Sequence, residues 1–164
     1  MVKFDERAIL DNGAYIYAMR QEIEAIADAV CEKGFDNILF TASGGSLAMM
    51  QPFDYMISVM SGLDVRSQVS AELLGIGNNR LTDRTLVFMA SKSGDTKETV
   101  EAAGYVKEKG AAIISVLGVE GSPLGGLSDY TVVYKDGRPQ EYVLYMLVGR
   151  ILHNKGYFDD YVQF

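Results

Sequence analysis

Cysteine and histidine are scarce in this chain of 164 residues, which contains one of each. A lone thiol, Cys31, excludes an internal disulfide and cannot by itself build a metal site. Its neighbours form an apolar, helical pattern, which favours a buried thiol. The histidine, His153, falls late in a predicted helix without a Cys or His companion, where an imidazole interacts with the helix dipole. The sequence therefore predicts no metal site and no cofactor.

Basic residues are also in short supply: 15 Lys and Arg stand against 22 Asp and Glu, and the formal net charge is −7. An acidic chain without a block of Lys and Arg argues against a nucleic-acid partner. The net charge does not exclude an anionic ligand, because a bound phosphate depends on the donors around it more than on the charge of the whole protein.

Long hydrophobic runs are missing, and no segment approaches the ~20 apolar residues that a membrane-spanning helix needs. The first ten residues, MVKFDERAIL, carry acids where a secretory signal requires a basic region followed by an apolar one. We therefore expect a cytoplasmic protein with no membrane partner. The length suits one domain with a substantial core, and 48% hydrophobic with 23% charged residues is ordinary for a globular protein.

Strand and helix patterns alternate along the chain. Apolar runs without polar alternation predict strands that are covered on both faces, as in a parallel sheet between helix layers. The predicted strands are 37–42, 65–70, 86–90, 111–117 and 130–134. Apolar residues spaced by three and four predict helices at 14–33, 47–60, 96–109 and 141–153, with a short helix and a loop over 71–81. The first thirteen residues are interpreted as a lead-in, and 118–129 as a loop.

This alternation predicts an α/β fold, a three-layer sandwich in which a five-stranded parallel sheet of order 2-1-3-4-5 has helices on both faces. In that order the first and third strands are adjacent, and their helices leave on opposite faces of the sheet. Ligands of such sheets bind at this switch point, beyond the carboxyl ends of the strands.

Two loops rich in hydroxyl groups, Ser43–Ser46 and Ser91–Thr96, follow these two strands. The second loop has one glycine for a sharp turn, and Thr96, with Thr99 three residues on, is suited to cap the helix that begins there. Helix amides and the positive end of the helix dipole favour a phosphate at such a place. Gly, Ser and Thr are common in loops, so either loop alone is ambiguous. The pair at the switch point predicts an anion-binding crevice.

Other signals for catalysis are weaker. The chain has no GxxxxGK[ST] motif, and both SGGSLA and GIGNNR miss the dinucleotide fingerprint. Lys92 and Lys97 are placed to approach a phosphate, although exposed lysines near a loop are more often solvated. Glu72 and Glu98 are candidate general bases, with a surface carboxylate as the alternative for each.

The segment SKSGDTKET, residues 91–99, resembles the phosphate loop of the SIS (sugar isomerase) domain family, whose pattern is roughly S-x-S-G-x-T-x-E-T. ASGGS at 42–46 is similar to the first loop of that family, and SAEL at 70–73 resembles its segment after the second strand. SPL at 122–124 matches the S-x-L of a later loop, so the resemblance spans about residues 35–155. It implies a phosphate site made by Ser46, Ser91, Lys92, Ser93 and Thr96. The supporting loop residues would be Ser43, Gly44, Gly45, Gly94 and Ser122.

In detail the chain resembles the N-terminal half of two-domain members. These are the isomerase part of glutamine–fructose-6-phosphate aminotransferase, which has a glutamine in place of Lys92, and the deglycases of phosphorylated fructose–amino-acid conjugates, which are closer still. The ending KGYFDDY is similar to their connector. We therefore expect a single SIS domain at 1–156 and, at 157–164, a tail docked on that domain or a connector to a second one. In these relatives a glutamate base and a ring-opening histidine come from the second half, which has no match here.

The resemblance implies half of a phosphosugar isomerase or deglycase, which would move a proton between C1 and C2 of a hexose 6-phosphate or fructosamine 6-phosphate. A non-catalytic module that senses sugar phosphates is the alternative. SIS relatives pair their domains through helices that flank the sheet, so we also expect a homodimer, or pairing with a second SIS domain.

Overall fold

The computed structural model describes residues 6–135 and 140–163. The beginning of the predicted lead-in and the last residue of the tail lie outside this part of the chain. Its elements are, in order, α1 (Glu6–Ala18), α2 (Arg20–Lys33), β1 (Asn37–Ala42), α3 (Gly45–Met60), β2 (Asp64–Val69), α4 (Ser70–Ile76), β3 (Thr85–Ser91), α5 (Lys97–Glu108), β4 (Ala112–Leu117), α6 (Pro123–Leu127), β5 (Tyr130–Val133), α7 (Gln140–Asn154) and a 3-10 helix (Asp159–Gln163). None of the helices described is both long enough and apolar enough to cross a membrane.

The five strands pair in parallel in one sheet of order β2-β1-β3-β4-β5, which confirms the predicted topology. β3 is central, and all seven of its residues are buried. Its register places Thr85 opposite Asn37 of β1 and Leu86 opposite Ala112 of β4. A strand with both faces covered has no polar side, which is why this part of the sequence shows no polar alternation.

Alternate residues of the strands enter two separate cores, one on each face of the sheet. Phe88 of β3 stacks on Phe40 of β1, with ring centroids 4.9 Å apart, in the core that α2, α3 and α7 cover. Val87 and Met89 enter the other core, which α4, α5 and α6 close. Helices thus lie on both faces of the sheet, and the predicted three-layer sandwich is confirmed.

The amino-terminal helix differs from its prediction. The single helix expected at 14–33 is two helices, because the chain turns at Met19, whose amide donates to the Ile16 carbonyl at 3.0 Å. Helix α1 also extends back through the predicted lead-in to Glu6 and includes Gly13. Of the residues in α1, Ile16 alone is buried. Most of α1 is exposed, and Gly13, a poor helix former, falls inside it, so the prediction from sequence stopped short of the start of this helix.

The region 118–129, predicted as a loop, contains helix α6. The amide of Gly126 donates to the Ser122 carbonyl at 3.1 Å, which closes one turn of this helix. Five residues with two glycines have neither the length nor the propensity that a prediction from sequence needs. Ser70 is a smaller difference, since it was expected to end the second strand and instead begins α4.

The segment after α7 folds back onto the domain between α2 and α7. The hydroxyl of Tyr161 donates to Glu24 Oε1 at 3.0 Å and lies 3.3 Å from the carbonyl oxygen of Met146. The Nδ1 of His153 is 2.9 Å from the carbonyl oxygen of Phe158, which holds the intervening turn to α7. The described part of the predicted tail is therefore docked on its own domain.

Candidate functional site

The loop between β3 and α5 is braced from inside by Ser91. This last residue of β3 is 2% exposed, and its Oγ accepts the amide of Gly94 at 2.9 Å. The same Oγ lies 3.1 Å from Oγ1 of Thr96, so one hydroxyl ties both the middle and the end of the loop. Thr96 is the N-cap residue of α5, but its side chain makes no capping hydrogen bond and is engaged with Ser91 instead.

Gly94 is required at the apex of this loop for two reasons. Its φ is +71°, in the left-handed region that side chains disfavour. A Cβ at this position would also overlap Oγ and Cβ of Ser122, at the start of α6. The carbonyl of Gly94 accepts the amide of Leu124 at 2.9 Å, so the loops after β3 and β4 pack directly on each other.

Gly118, just after β4, makes a second close approach between the same two loops. A Cβ at Gly118 would overlap the carbonyl oxygen of Lys92. Its amide lies 3.4 Å from the carbonyl of Ser91. Absence of a side chain at this position lets the backbone around Lys92 rest on the end of β4, which sets the position of Lys92 and Ser93.

The loop between β1 and α3 is tied to α5 from the other side. Oγ of Ser43 lies 3.2 Å from Oγ1 of Thr99, which is buried in the first turn of α5. Gly44 precedes α3 with φ at +55°, and the helix begins at Gly45, so Ser46 lies in its first turn. The two hydroxyl-rich loops therefore meet at the carboxyl ends of β1 and β3, as the topology predicted.

A pocket of about 490 Å³ lies where these loops meet. We call it the serine–lysine pocket, and its lining residues are Ser46, Lys92, Ser93, Thr96, Gly118 and Val119. It thus brings together three hydroxyl groups and one ammonium group beside the first turn of α5. A helix of 12 residues presents unpaired amides and the positive end of its dipole at that end. Hydroxyl, ammonium and amide donors around one cavity suit a phosphate or a similar oxyanion.

The other predicted site residues lie outside the lining of this pocket. Ser91 and Ser122 are buried, and the hydroxyl of Ser43 contacts that of Thr99. Within residues 6–135 and 140–163, Oγ of Ser122 is buried and has no hydrogen-bond partner. Because Ser91 is buried and bonded to Gly94 and Thr96, it stabilises the loop from within. The spacing of serines in the sequence does not distinguish this role from contact with a ligand.

Neither of the candidate bases lies in the serine–lysine pocket. Glu72 is exposed on α4, and Glu98 is exposed in the first turn of α5. Among the described residues that line the pocket, none is a carboxylate or an imidazole. One lining residue, Val119, was not predicted from the sequence. It is 50% exposed at the pocket rim, and an isolated valine in a loop gives no signal of its own.

Sequence comparison agrees with the loop motifs. The SIS domain profile matches residues 34–152. The fructosamine deglycase FrlB of Bacillus subtilis is 32% identical over 73% of this chain and 37% of that protein. The glutamine–fructose-6-phosphate aminotransferase of Methanococcus maripaludis is 33% identical over 81% of this chain and 21% of that protein. The chain thus spans well under half the length of these relatives, and the resemblance noted at 91–99 and 42–46 is confirmed.

Solved structures of other proteins share this fold. A Bacillus subtilis protein classed provisionally as a phosphosugar isomerase has a TM-score of 0.82 and 29% identity, over 87% of this chain and 46% of that one. The NanR protein of Vibrio vulnificus, solved in complex with ManNAc-6P, has a TM-score of 0.74 over 95% of this chain and 64% of that one. Its identity of 20% shows similarity of fold alone.

Proposed function

The chain belongs to the SIS domain family, and we propose that its serine–lysine pocket binds the phosphate of a sugar phosphate. The observation that carries this proposal is the convergence of Ser46, Lys92, Ser93 and Thr96 on one cavity beside the start of α5. The protein as a whole carries a net charge of −7, so the attraction for an anion must be local. Lys92 supplies the positive charge, and the three hydroxyls supply directed donors.

We further propose that the domain serves as one half of a phosphosugar isomerase or deglycase, with a hexose 6-phosphate or a fructosamine 6-phosphate as substrate. Two findings support this role: the similarity to FrlB and to the aminotransferase, and the position of the pocket at the switch point of the sheet. Proton transfer between C1 and C2 requires a positioned base. Since the lining of the pocket supplies no carboxylate among the described residues, the base comes from a partner domain or a second chain.

The phosphate proposal is tested by replacing Ser93 with alanine. Ser93 lines the pocket and offers a hydroxyl to the anion. A hydrogen bond to a charged group contributes about 1.5–3 kcal/mol, so Ser93→Ala is expected to weaken the binding of fructose 6-phosphate about tenfold or more. Titration calorimetry measures this directly.

Ser58→Ala is the matched control, because Ser58 lies at the far end of α3 and donates to the Tyr55 carbonyl at 2.8 Å. Its affinity for fructose 6-phosphate should equal that of the wild type. Unchanged affinity in Ser93→Ala would contradict the site assignment. Equal binding of fructose and fructose 6-phosphate by the wild type would contradict the proposed role of the phosphate.

A sensing module remains the second candidate function. The NanR protein, which has this fold, was solved in complex with the sugar phosphate ManNAc-6P. The lack of a base in the described lining of the serine–lysine pocket fits binding without turnover. The test is to assay this protein together with every chain that it pairs with. Binding of several hexose phosphates without isomerisation or deglycation would favour the sensing module.

We also propose that the domain pairs through α3 and α7. Tyr55 and Val59 are 71% and 64% exposed on one face of α3, and Tyr142 is exposed at the start of α7. An apolar groove of about 450 Å³, lined in part by Phe53 and Tyr145, lies between these helices. Large apolar side chains grouped on one face are uncommon on monomers. A two-fold dimer would cover this face with the same face of a second copy.

Light scattering at micromolar concentration is expected to give the mass of a dimer, and Tyr55→Arg to shift it toward the monomer. The dimer is expected to be nearly inactive as an isomerase or deglycase. A monomeric wild type would remove the pairing proposal. Rapid turnover of fructose 6-phosphate by this chain alone would show that it does contain a base, and Glu72 and Glu98 would be the first residues to replace.

A further inference from the structure

Helix α1 carries an apolar stripe that its own domain leaves largely uncovered. The spacing of one, three and four residues places five positions on one face of the helix: Ile9, Leu10, Gly13, Ile16 and Tyr17. We call this surface the α1 stripe. Ile16 is its only buried member, while Ile9, Leu10 and Tyr17 are between 49% and 66% exposed.

Helix α1 needs more packing than its own domain supplies. A helix of 13 residues is marginal by itself in water, and Gly13 in its interior lowers the helix propensity further. Most helices in proteins are stabilised by burial of an amphipathic face rather than by propensity. One buried residue supplies little of that stabilisation. The α1 stripe therefore indicates contact with a second apolar surface.

The apolar groove between α3 and α7 is such a surface, and it adjoins the α1 stripe. Arg20 lines the groove, and its guanidinium lies 6.0 Å from the ring centre of Tyr17, at the end of the stripe. Among the residues that the structure describes, none from α1 lines the groove. The helix thus forms a ridge beside the groove and does not fill the groove of its own chain.

The area of these surfaces indicates that both are needed for pairing. A stable interface buries about 800 Å² on each partner, of which about 60% is non-polar. The exposed parts of Tyr55, Val59 and Tyr142 amount to roughly 300 Å², at about 200 Å² for a whole tyrosine side chain. The α1 stripe offers roughly 300 Å² more on the same basis. The two surfaces together supply the non-polar area of a stable interface, and neither does so alone.

We infer that two copies of this chain exchange their α1 helices, so that the α1 stripe of each copy packs in the apolar groove of the other. A ridge and a groove that adjoin on one surface are self-complementary under a two-fold axis, because each copy both gives the ridge and receives it. This inference rests on the proposed pairing through α3 and α7, and it identifies the segment that fills the groove.

Two variants test the two sides of this contact. Leu10 is 66% exposed on α1, so Leu10→Glu keeps the helix propensity and the fold but places a carboxylate in the groove of the second copy. Tyr142→Glu alters the groove instead, in the first turn of α7, where the helix dipole favours a carboxylate. Ile76→Glu is the matched control, because Ile76 is an exposed apolar residue of α4, on the opposite face of the sheet.

The experiment is sedimentation velocity on the full chain, with each variant alone and with an equimolar mixture. Leu10→Glu and Tyr142→Glu are each expected to raise the dimer Kd at least a hundredfold, and Ile76→Glu to leave it unchanged. In the mixture, the intact stripe of the Tyr142→Glu chain meets the intact groove of the Leu10→Glu chain. One of the two contacts is then kept, so the mixed dimer should bind at least tenfold more tightly than either variant binds itself.

Hydrogen exchange of the α1 amides gives an independent measurement. In the wild type these amides should exchange at least tenfold more slowly at protein concentrations above the dimer Kd than below it, because the partner's groove stabilises the helix. In Leu10→Glu they should exchange rapidly at both concentrations. Exchange in the wild type that does not depend on concentration would overturn the inference.

The outcomes separate this inference from the proposed pairing. If Leu10→Glu remains a dimer while Tyr55→Arg dissociates, the exchange of α1 is wrong and the pairing through α3 and α7 stands. If Leu10→Glu and Tyr142→Glu both dissociate but their mixture forms no tighter dimer, the α1 stripe does not pack in the groove and the exchange is again wrong. If the wild type is a monomer at micromolar concentration, the pairing and the exchange are both wrong.

Discussion

Alanine at position 94 is expected to lower the free energy of unfolding by about 2–4 kcal/mol, because it adds backbone strain to a steric overlap. The φ of Gly94 is +71°, and the new Cβ would overlap Ser122 across the two packed loops. Relief of that overlap must move the loop that carries Ser93 and Lys92, so the affinity for fructose 6-phosphate should fall more than tenfold. Urea denaturation and calorimetry measure the two effects.

Gly104→Ala is the control for the Gly94 variant, since the added methyl group at Gly104 meets open space in the middle of a helix. It should be neutral or stabilise by up to about 1 kcal/mol through helix propensity. Combining Gly94→Ala with Ser122→Gly removes the overlapping atoms, so the double variant should be more stable than the sum of the single changes predicts. Wild-type stability of Gly94→Ala would show that the two loops are not packed as described.

Truncation of Tyr161 to alanine is expected to cost about 3–5 kcal/mol, the usual range for a buried aromatic residue. Tyr161 is 2% exposed although it lies near the end of the described chain. Its ring fills a notch on α7, where a Cβ on Gly149 would lie 2.9 Å from two ring carbons. The ring also packs edge-on against Phe158, with centroids 5.9 Å apart. Urea denaturation, together with the rate of proteolysis after Gly156, tests this contribution.

If the segment after α7 undocked without affecting the rest of the domain, Tyr161→Ala would speed proteolysis and leave the free energy of unfolding unchanged. That result would show that the segment is not part of the folded core. Arg20 argues for an integral role, because its guanidinium lies 5.4 Å from the Tyr161 ring centre and also pairs with Glu24 at 2.7 Å. The tail is thus part of a network on α2.

Tyr161→Phe isolates the hydroxyl and adds a pH dependence to this prediction. Burial, and next the hydrogen bond to Glu24, raise the pKa of Tyr161 above its ordinary value. The folded protein therefore holds the phenol proton more tightly than the unfolded chain does. The resulting stabilisation is complete below the unfolded pKa of about 10 and is lost as the pH rises above it. The stability difference between wild type and Tyr161→Phe should shrink as the pH is raised from neutral to about one unit above that unfolded pKa. A constant difference would contradict this.

The sequence by itself determined the sheet and the place of the candidate site. Unbroken apolar runs such as Leu86–Ala90 predict buried parallel strands, because the pattern of a strand reflects which of its faces are covered. The order of strands and helices then places the loops after β1 and β3 together at the switch point. The motif at 91–99 identified the family from the sequence alone. It could do so because the sharp turn at Gly94 and the hydroxyls around it are local features of the chain.

Only the tertiary structure decided which side chains face the pocket and which hold it together. Ser91 and Ser93 differ by two positions in the same motif, yet one braces the loop from within and the other lines the pocket. The same holds for the docking of Tyr161 on Gly149. Each depends on contacts between segments far apart in the chain. Local propensity and periodicity report a residue's near neighbours, whereas these roles depend on what the folded chain packs against it from elsewhere.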